Sequence, residues 1–257
     1  MSYWEDRMAD AQNRLTNISI KKVDKQMRKY YAAAMNRTIE DFEATYNKIL
    51  TAVEAGRKPT PADLYKLDKY WQSQARLRQE LQKLGDKQMI LLSREFEANW
   101  FEIYYSIGEV GEVIFSSIDK PGVQQLINQI WAADGKSWSQ RIWENTERLA
   151  AELNEGLIHC VATGKKTSEL KNILQERFGV SYSRADALVR TEMAHIQTQA
   201  AKQRYEDAGI QEVEIWASKD ERRCEICGEL HQKRYPVGAA VPVPAHPRCR
   251  CCILPVI

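Results

Sequence analysis

Metal-binding side chains are concentrated near the end of the chain. Cys224 and Cys227 form a C-x-x-C pair, and residues 246–252 read His-Pro-Arg-Cys-Arg-Cys-Cys. Two closely spaced donor groups separated by a loop are typical of a tetrahedral zinc site, because each turn presents two ligands to one ion. Four protein ligands leave no position for water, so this pattern predicts a structural zinc knuckle rather than a catalytic metal.

The sequence offers more donors than one tetrahedral ion can use. His246 and Cys249 have the spacing of a second pair. Cys251 is the main alternative for the last position, and Cys252 and His231 widen the choice. The candidate ligands of the expected Zn²⁺ are Cys224, Cys227, His246, Cys249 and Cys251.

The alternative for these cysteines is a disulfide or a group of buried thiols. The start of the chain, Met-Ser-Tyr-Trp-Glu-Asp, lacks the apolar stretch of a secretory signal. We therefore expect a protein that is made and kept in a reducing cytoplasm, where clustered cysteines bind metal more often than each other.

Composition places the chain among globular proteins. It has 257 residues, of which 44% are hydrophobic and 28% charged, enough for one large or two small cores. The 37 basic and 35 acidic residues give a net charge of +2, so overall charge does not argue for nucleic acid or an anionic membrane. No stretch approaches the roughly 20 apolar residues of a membrane span, and we expect no membrane contact.

Helical periodicity dominates the first hundred residues. Apolar side chains recur every three or four positions from Val23 to Val53, and Gly56, Pro59 and Pro61 follow. A second long stripe runs through residues 64–103, so the sequence predicts an antiparallel helical hairpin. The glycines between 106 and 122 flank a β-prone segment at 113–115, which predicts a short extended piece and a domain boundary near residue 120.

The second half is predicted to be a helical bundle followed by strands. Helices are expected at 124–131, at 142–161, from a cap at Thr167 or Ser168 to a stop at Gly179, and from Arg184 to Ala208 with Ser183 as the cap. The last helix carries a stripe of small residues and is expected to be central to its domain. Alternation after Gly209 predicts a strand at 213–217, and a second strand is expected at 233–237.

These elements together predict a mainly α fold. It consists of a long N-terminal helical hairpin, a central helical bundle and a small C-terminal β-ribbon clamped by the zinc knuckle. Residues 1–120 would form the helical arm and residues 121–257 a second domain. Within that domain, 124–208 would be helical and 210–257 the zinc-bound ribbon, which is too small to be stable alone without metal.

A second group of polar residues, Arg190, Thr191 and Glu192, lies beside His195 on one helix. Glu192 and His195 could form a catalytic dyad or a buried polar network, and we expect the network because no nucleophile or oxyanion donors accompany the pair. The second alternative for the whole protein is a zinc-dependent nucleic-acid hydrolase or deaminase, and for the hydrolase the candidates would be Glu192, His195 and Asp220. A zinc deaminase needs H-x-E and P-C-x-x-C, but Ile196 and Gln197 follow His195, and residue 223 is Arg.

A DNA-binding zinc ribbon is the third alternative, and it rests on local cations. Nearby acidic residues offset these cations, which are expected instead to hydrogen-bond to metal thiolates and carbonyls. The cations are Arg222, Arg223, Lys233, Arg234, Arg248 and Arg250.

The order of these motifs resembles the phage Mu F-like minor head proteins, also called head morphogenesis proteins. The resemblance covers about the last 120 residues, and it is strongest after Ser183. This chain departs from the usual pattern at Leu230-His231-Gln232, where a glycine turn is more typical, and it adds Cys252. The matching positions are Arg190-Thr191-Glu192, Trp216, Asp220 to Arg222, Cys224-x-x-Cys227, Leu230, Tyr235 and Pro244-x-His246-Pro247-x-Cys249-Arg250-Cys251.

The resemblance implies a low-copy virion protein of a tailed phage, in the interior of the head near the portal vertex. It implies a role in head morphogenesis, with an influence on DNA packaging or ejection in some members. The partners it implies are the portal protein, the major capsid or scaffolding protein, and packaged DNA. No enzymatic activity is expected. The hairpin is expected to reach the partner.

Overall fold

The computed structural model describes residues 3–52, 57–108, 120–218 and 223–256. As predicted, the described chain is mainly helical. None of the described helices combines the length and apolar character that crossing a membrane requires. The helices are α1 (Tyr3–Ala52), α2 (Pro61–Tyr65), α3 (Asp68–Gly108), α4 (Lys120–Ile127), α5 (Trp138–Thr163), α6 (Thr167–Asp207) and α7 (Glu225–Leu230).

The chain forms two compact units, each built from separate stretches of sequence. The first contains Met1–Asp24, Leu91–Trp138 and Asp186–Ile257, and the second contains Lys25–Ile90 and Ser139–Ala185. The division into sequence domains at residue 120 stays a prediction. The extended segment predicted at 113–115 lies outside the described residues.

The predicted helical hairpin is present in the second unit, where α1 and α3 run antiparallel. Arg76 pairs with Asp41, and four residues further along α3, Glu80 accepts a 2.9 Å hydrogen bond from Arg37. The apolar stripe from Val23 is buried as expected. However, α1 begins at Tyr3, twenty residues before the stripe that predicted it, and the second helix is divided into α2 and α3.

The first unit contains a small antiparallel sheet of β1 (Glu212–Trp216), β2 (Arg234–Pro236) and β3 (Cys252–Pro255). The strand order is β2-β1-β3. Strands β1 (Glu212–Trp216) and β2 (Arg234–Pro236) confirm the two predicted ones. Strand β3 (Cys252–Pro255) was not predicted, because the cysteines at its start suggested ligands rather than a strand. Its register places Cys252 opposite Trp216.

Helix α6 corrects the prediction of two separate helices. It continues through Gly179 and Ser183, so Ser183 lies inside the helix and not at its N-terminus. One buried stripe crosses the expected break at helical spacing, and its packing outweighs the weak helix propensity of glycine. The stripe consists of Leu174, Phe178, Ser181, Ala185 and Val189, all at most 3% exposed.

The space around Gly179 in α6 and Gly85 in α3 predicts opposite effects of glycine-to-alanine substitutions on stability. At Gly179 a new Cβ would meet nothing within 4 Å, so Gly179→Ala should stabilise the helix by about 1 kcal/mol. At Gly85 a new Cβ would lie 2.3 Å from the Trp143 ring, so Gly85→Ala should destabilise by about 1–3 kcal/mol. Urea unfolding of both variants measures these changes. A loss of stability in Gly179→Ala would contradict a continuous helix.

Candidate metal centre

The first half of the centre is held by α7, a short helix that the sequence reading missed. Cys224 is the N-cap of α7, and its Sγ accepts a 3.4 Å hydrogen bond from the backbone N–H of Cys227. This geometry fixes both sulfur atoms of the C-x-x-C pair at the start of the helix. Cys227 is buried, whereas Cys224 is half-buried.

The second half is a tight turn from His246 to Cys249. The N–H of Cys249 donates to the carbonyl of His246 at 3.1 Å, and Arg248 has a φ of +63°. Pro247 followed by a positive φ is the form of a type II turn, in which glycine usually takes the position of Arg248. An arginine held in this conformation indicates that the surrounding structure imposes the turn.

His246 directs one ring nitrogen towards the cysteine pair. Its Nδ1 lies 2.9 Å from the carbonyl oxygen of Pro247. Because a carbonyl can only accept a hydrogen bond, Nδ1 carries the proton and donates it to this bond. Nε2 therefore carries the lone pair, and it lies 3.2 Å from the Sγ of Cys224 and 3.0 Å from that of Cys227. A histidine oriented by a carbonyl in this way is the usual arrangement of a metal ligand.

The five predicted ligands fall into two groups of three that share Cys227. The ligand atoms of Cys224, Cys227 and His246 lie within 4.8 Å of one another, as do those of Cys227, Cys249 and Cys251. The Sγ atoms of Cys227 and Cys249 are 3.8 Å apart. A tetrahedron with Zn–S distances of about 2.3 Å has edges of roughly 3.8 Å, so the separation of these two sulfur atoms is compatible with zinc.

The two remaining alternatives, His231 and Cys252, have other contacts. Nδ1 of His231 accepts a 3.3 Å hydrogen bond from the N–H of Ala217, and its ring packs edge-on against Trp216. Cys252 is fully buried at the start of β3, where it packs with Ala9, Trp216 and Leu254. Neither side chain belongs to the groups of possible metal ligands among the described residues.

Proton affinities distinguish the cysteines of the cluster. A hydrogen bond from the Cys251 thiol lowers the pKa of Cys249 to about 5, and the same bond raises the pKa of Cys251. Burial raises the pKa of Cys227 to about 12, whereas the N–H of Cys227 lowers the pKa of Cys224. The thiolate is the form that binds metal, and the lowered pKa of Cys249 agrees with its place in the turn opposite Cys227.

Helix α6 holds the second turn in place through the Arg-Thr-Glu segment. The hydroxyl of Thr191 accepts a 3.0 Å hydrogen bond from the backbone N–H of Arg248. Asp186 accepts from both Arg190, at 2.9 Å, and Arg248, at 3.2 Å. The sequence reading gave Asp186 no such role, although its spacing of four residues from Arg190 could have indicated the pair. These contacts connect the ligand turn to a long helix.

Glu192 and His195 lie on another side of α6 and contact Trp131, which the sequence reading had not selected. Glu192, 2% exposed, accepts a 2.9 Å hydrogen bond from the indole N–H of Trp131. The imidazole of His195 stacks on the same indole with ring centroids 4.2 Å apart, and burial lowers its pKa to about 4. These contacts agree with the polar-network interpretation. Asp220, the third hydrolase candidate, lies outside the described residues.

Several of the cations that a DNA-binding ribbon would use contact other groups of the C-terminal module. Arg223 donates to the carbonyl of Gly228, Arg234 lies 3.7 Å from the Glu214 carboxylate, and Arg248 bonds to Asp186. The expected contact with a carbonyl is thus found for Arg223, whereas Arg234 and Arg248 contact carboxylates, which that interpretation did not name. Arg222 lies outside the described residues.

The fold and this cluster define a class: a mainly helical protein whose C-terminal sheet module carries a cysteine and histidine cluster suited to metal. Residues 151–254 match the family described as Phage Mu protein F like protein. This match confirms the family resemblance for the C-terminal part of the chain.

The chain is also similar to the NAD(+)--arginine ADP-ribosyltransferase EFV of Enterococcus faecalis (strain ATCC 700802 / V583). The two are 24% identical over 185 residues, which cover 64% of this chain and 38% of that enzyme. The chain thus spans well under half the length of this relative. No solved structure gives a significant match.

Two buried cysteines of the module offer a matched test of the metal centre. Cys227→Ala removes the sulfur that belongs to both ligand groups, whereas Cys252→Ala removes one that contacts only the core. We expect purified wild-type protein and Cys252→Ala to hold about one zinc per chain and Cys227→Ala to hold almost none. Plasma mass spectrometry measures the content. Equal zinc in both variants would contradict this centre.

The hydroxyl of Thr191 predicts a link between α6 and metal retention. Thr191→Val loses the bond to the Arg248 N–H, which should cost about 1 kcal/mol of stability and speed zinc release to a chelator. Thr191→Ser keeps the hydroxyl and should behave like the wild type. Release followed with a zinc-sensitive dye measures the effect, and identical rates for wild type and Thr191→Val would show that the helix does not restrain the turn.

Proposed function

We propose that this protein is a minor head protein of a tailed phage, present in few copies and located in the head near the portal vertex. The observation that carries this proposal is the family match over residues 151–254. The contacts between the Arg-Thr-Glu helix and the His-Pro-Arg-Cys turn support it, because they explain why these motifs occur together. The proposed partners are the portal protein and, beyond it, capsid or scaffolding protein. Packaged DNA is a further proposed partner through packaging or ejection.

In this proposal the C-terminal module is a rigid, zinc-stabilised unit without catalytic activity. Cys224, Cys227, His246 and Cys249 would hold the ion, and the thiol of Cys251 would donate a hydrogen bond to the sulfur of Cys249. Bound zinc would supply folding free energy to a sheet whose strands have only five, three and four residues. A complete set of protein ligands leaves no open position for activating water.

The helical hairpin would make the contact with the head partner. Its described surface carries exposed apolar side chains, among them Trp71 at 55% and Ile90 at 71% exposure. Near the start of α3, the rings of Tyr65, Tyr70 and Trp71 pack together, with Tyr65 and Trp71 exposed. Exposed aromatic clusters are enriched at protein interfaces. This cluster is our proposed contact site for the portal.

The cluster yields a prediction for particle assembly. Trp71→Ala should lower the number of copies in purified particles at least several-fold, because aromatic residues dominate interface energies. Tyr105→Ala is the matched control, since Tyr105 is also an exposed aromatic residue on α3, outside the cluster. Quantitative immunoblots of gradient-purified virions, with free lysate protein as reference, measure the copies. Equal loss in both variants would contradict the proposed contact.

The same experiment tests the function itself. Wild-type protein should be retained in the particle at low copy number. Its absence from both virions and head precursors would contradict the proposal and direct attention to nuclease, deaminase and ADP-ribosyltransferase assays.

A further inference from the structure

An apolar pocket opens in the C-terminal module between α6, α7 and the loop that follows β2. We define it by one face of α6 from His195 to Lys202, one face of α7 from Ile226 to Leu230, the loop from Ala239 to Ala245, and Trp131. All of these residues belong to the first compact unit. The volume of the apolar pocket is about 660 Å³, within the range of roughly 300–1,000 Å³ that is typical of ligand pockets.

Most residues that line the apolar pocket have apolar side chains. Trp131 and Leu230 are half-buried, and Val241 and Pro242 belong to the loop wall. Ile226 lines the pocket and is nevertheless 54% exposed. An isoleucine that stays in water beside an apolar pocket is surface that a bound partner can cover with a gain in free energy.

His195 brings unused hydrogen-bonding groups to these apolar walls. Its ring stacks on Trp131 and lines the pocket. Burial alone lowers its pKa, to about 4, so the imidazole is neutral at physiological pH, and no hydrogen bond from the described chain acts on it. A neutral imidazole offers one N–H donor and one nitrogen acceptor. A peptide group carries the matching acceptor and donor, and the side-chain amide of Gln199, one turn further along α6, can serve it as well.

The charged groups of the apolar pocket balance each other. Among its described lining residues, Lys202 supplies one ammonium group and Glu229 one carboxylate. The ammonium group of Lys202 already donates to the carbonyls of Gly238 and Ala239, at 3.3 and 3.1 Å. A charged ligand would lose hydration among the apolar walls without gaining a free counter-charge in return. The lining therefore favours an uncharged ligand.

The loop wall favours a peptide chain over a compact small molecule. Between residues 240 and 245 of the described chain, the N–H of Val243 bonds to the carbonyl of Val241, and no other backbone–backbone bond is made. Pro242 and Pro244 have no N–H, so this wall carries more acceptors than donors. Such carbonyls can accept hydrogen bonds from the backbone of a second chain that lies alongside. From His195 to Lys202 the wall of α6 rises by about 10 Å, the length of three extended residues.

We propose that the apolar pocket binds a short, uncharged segment of a partner protein that carries apolar side chains. These side chains lie among Ile226, Leu230 and Val241, and a peptide group of the segment bonds to the imidazole of His195. The identification of that partner as another head protein rests on the proposed function, whereas the binding chemistry does not.

Binding of labelled peptides to the purified full-length protein tests this proposal. The probe is fluorescein-Gly-Ser-Val-Leu-Val-Ser amide, and the comparison is fluorescein-Gly-Ser-Thr-Asn-Thr-Ser amide, which has nearly the same shape but polar side chains. Fluorescence anisotropy follows both. Ile226→Ser removes the exposed apolar side chain of the pocket, and Ile90→Ser is its matched control, since Ile90 is 71% exposed on α3 outside the pocket. His195→Phe keeps a ring against Trp131 and removes both nitrogens. The zinc content of each variant reports whether the module is intact.

The Val-Leu-Val peptide should bind at least about tenfold more tightly than the Thr-Asn-Thr peptide. Ile226→Ser and His195→Phe should each weaken its binding about fivefold, and Ile90→Ser should leave it unchanged. Four results would overturn the proposal: no binding of the Val-Leu-Val peptide at millimolar concentration, equal binding of both peptides, equal weakening by the two serine variants, or unchanged binding by His195→Phe.

Analytical ultracentrifugation distinguishes a partner protein from a second copy of this chain. The wild type should sediment alike with and without Ile226→Ser. A dimer that Ile226→Ser dissociates and Ile90→Ser does not would make a second copy the occupant and overturn the proposal. Peptide binding by a protein absent from virions would overturn the proposed function but leave the apolar pocket assigned.

Discussion

The convergence of two short turns on one cluster of sulfur and nitrogen atoms is the constraint on which the C-terminal module depends. One turn starts α7 with Cys224 and Cys227, and the other runs from His246 to Cys249. They are separated by some twenty residues and have no long helix of their own. The sheet next to them contains three short strands, and a ribbon this small is marginal without a further link. A metal ion at the cluster would provide that link.

Helix α6 ties the cluster to the rest of the first unit. Thr191 and Asp186 bond to the turn at Arg248, while Glu192 fixes Trp131, on which His195 stacks. The polar residues of the Arg-Thr-Glu segment thus support the module structurally on two sides of the helix. This arrangement accounts for their polarity without assigning them a chemical step, and the low pKa of His195, about 4, follows from burial alone.

The sequence was informative where local chemistry determines structure. Ligand spacing pointed to two donor groups, which the structure brings together at Cys227, and alternation predicted β1 and β2, because both patterns depend only on neighbouring residues. It failed where tertiary contacts decide. Gly179 and Ser183 resemble a helix stop and start, yet a buried stripe carries α6 across them. Cys252 resembled a ligand but pairs with Trp216 in a strand, and the role of Asp186 depends on a residue 62 positions away.

The measurement that tests this account most directly is zinc-edge X-ray absorption spectroscopy of the purified protein and of Cys251→Ala. A centre formed by Cys224, Cys227, His246 and Cys249 should give a four-coordinate ion with three sulfur ligands and one nitrogen ligand in both proteins, at Zn–S distances of about 2.3 Å. If the wild type shows four sulfur ligands, Cys251 and not His246 is the fourth ligand, and the proposed ligand set is wrong. A light-atom ligand such as water in the first shell would contradict a closed structural centre.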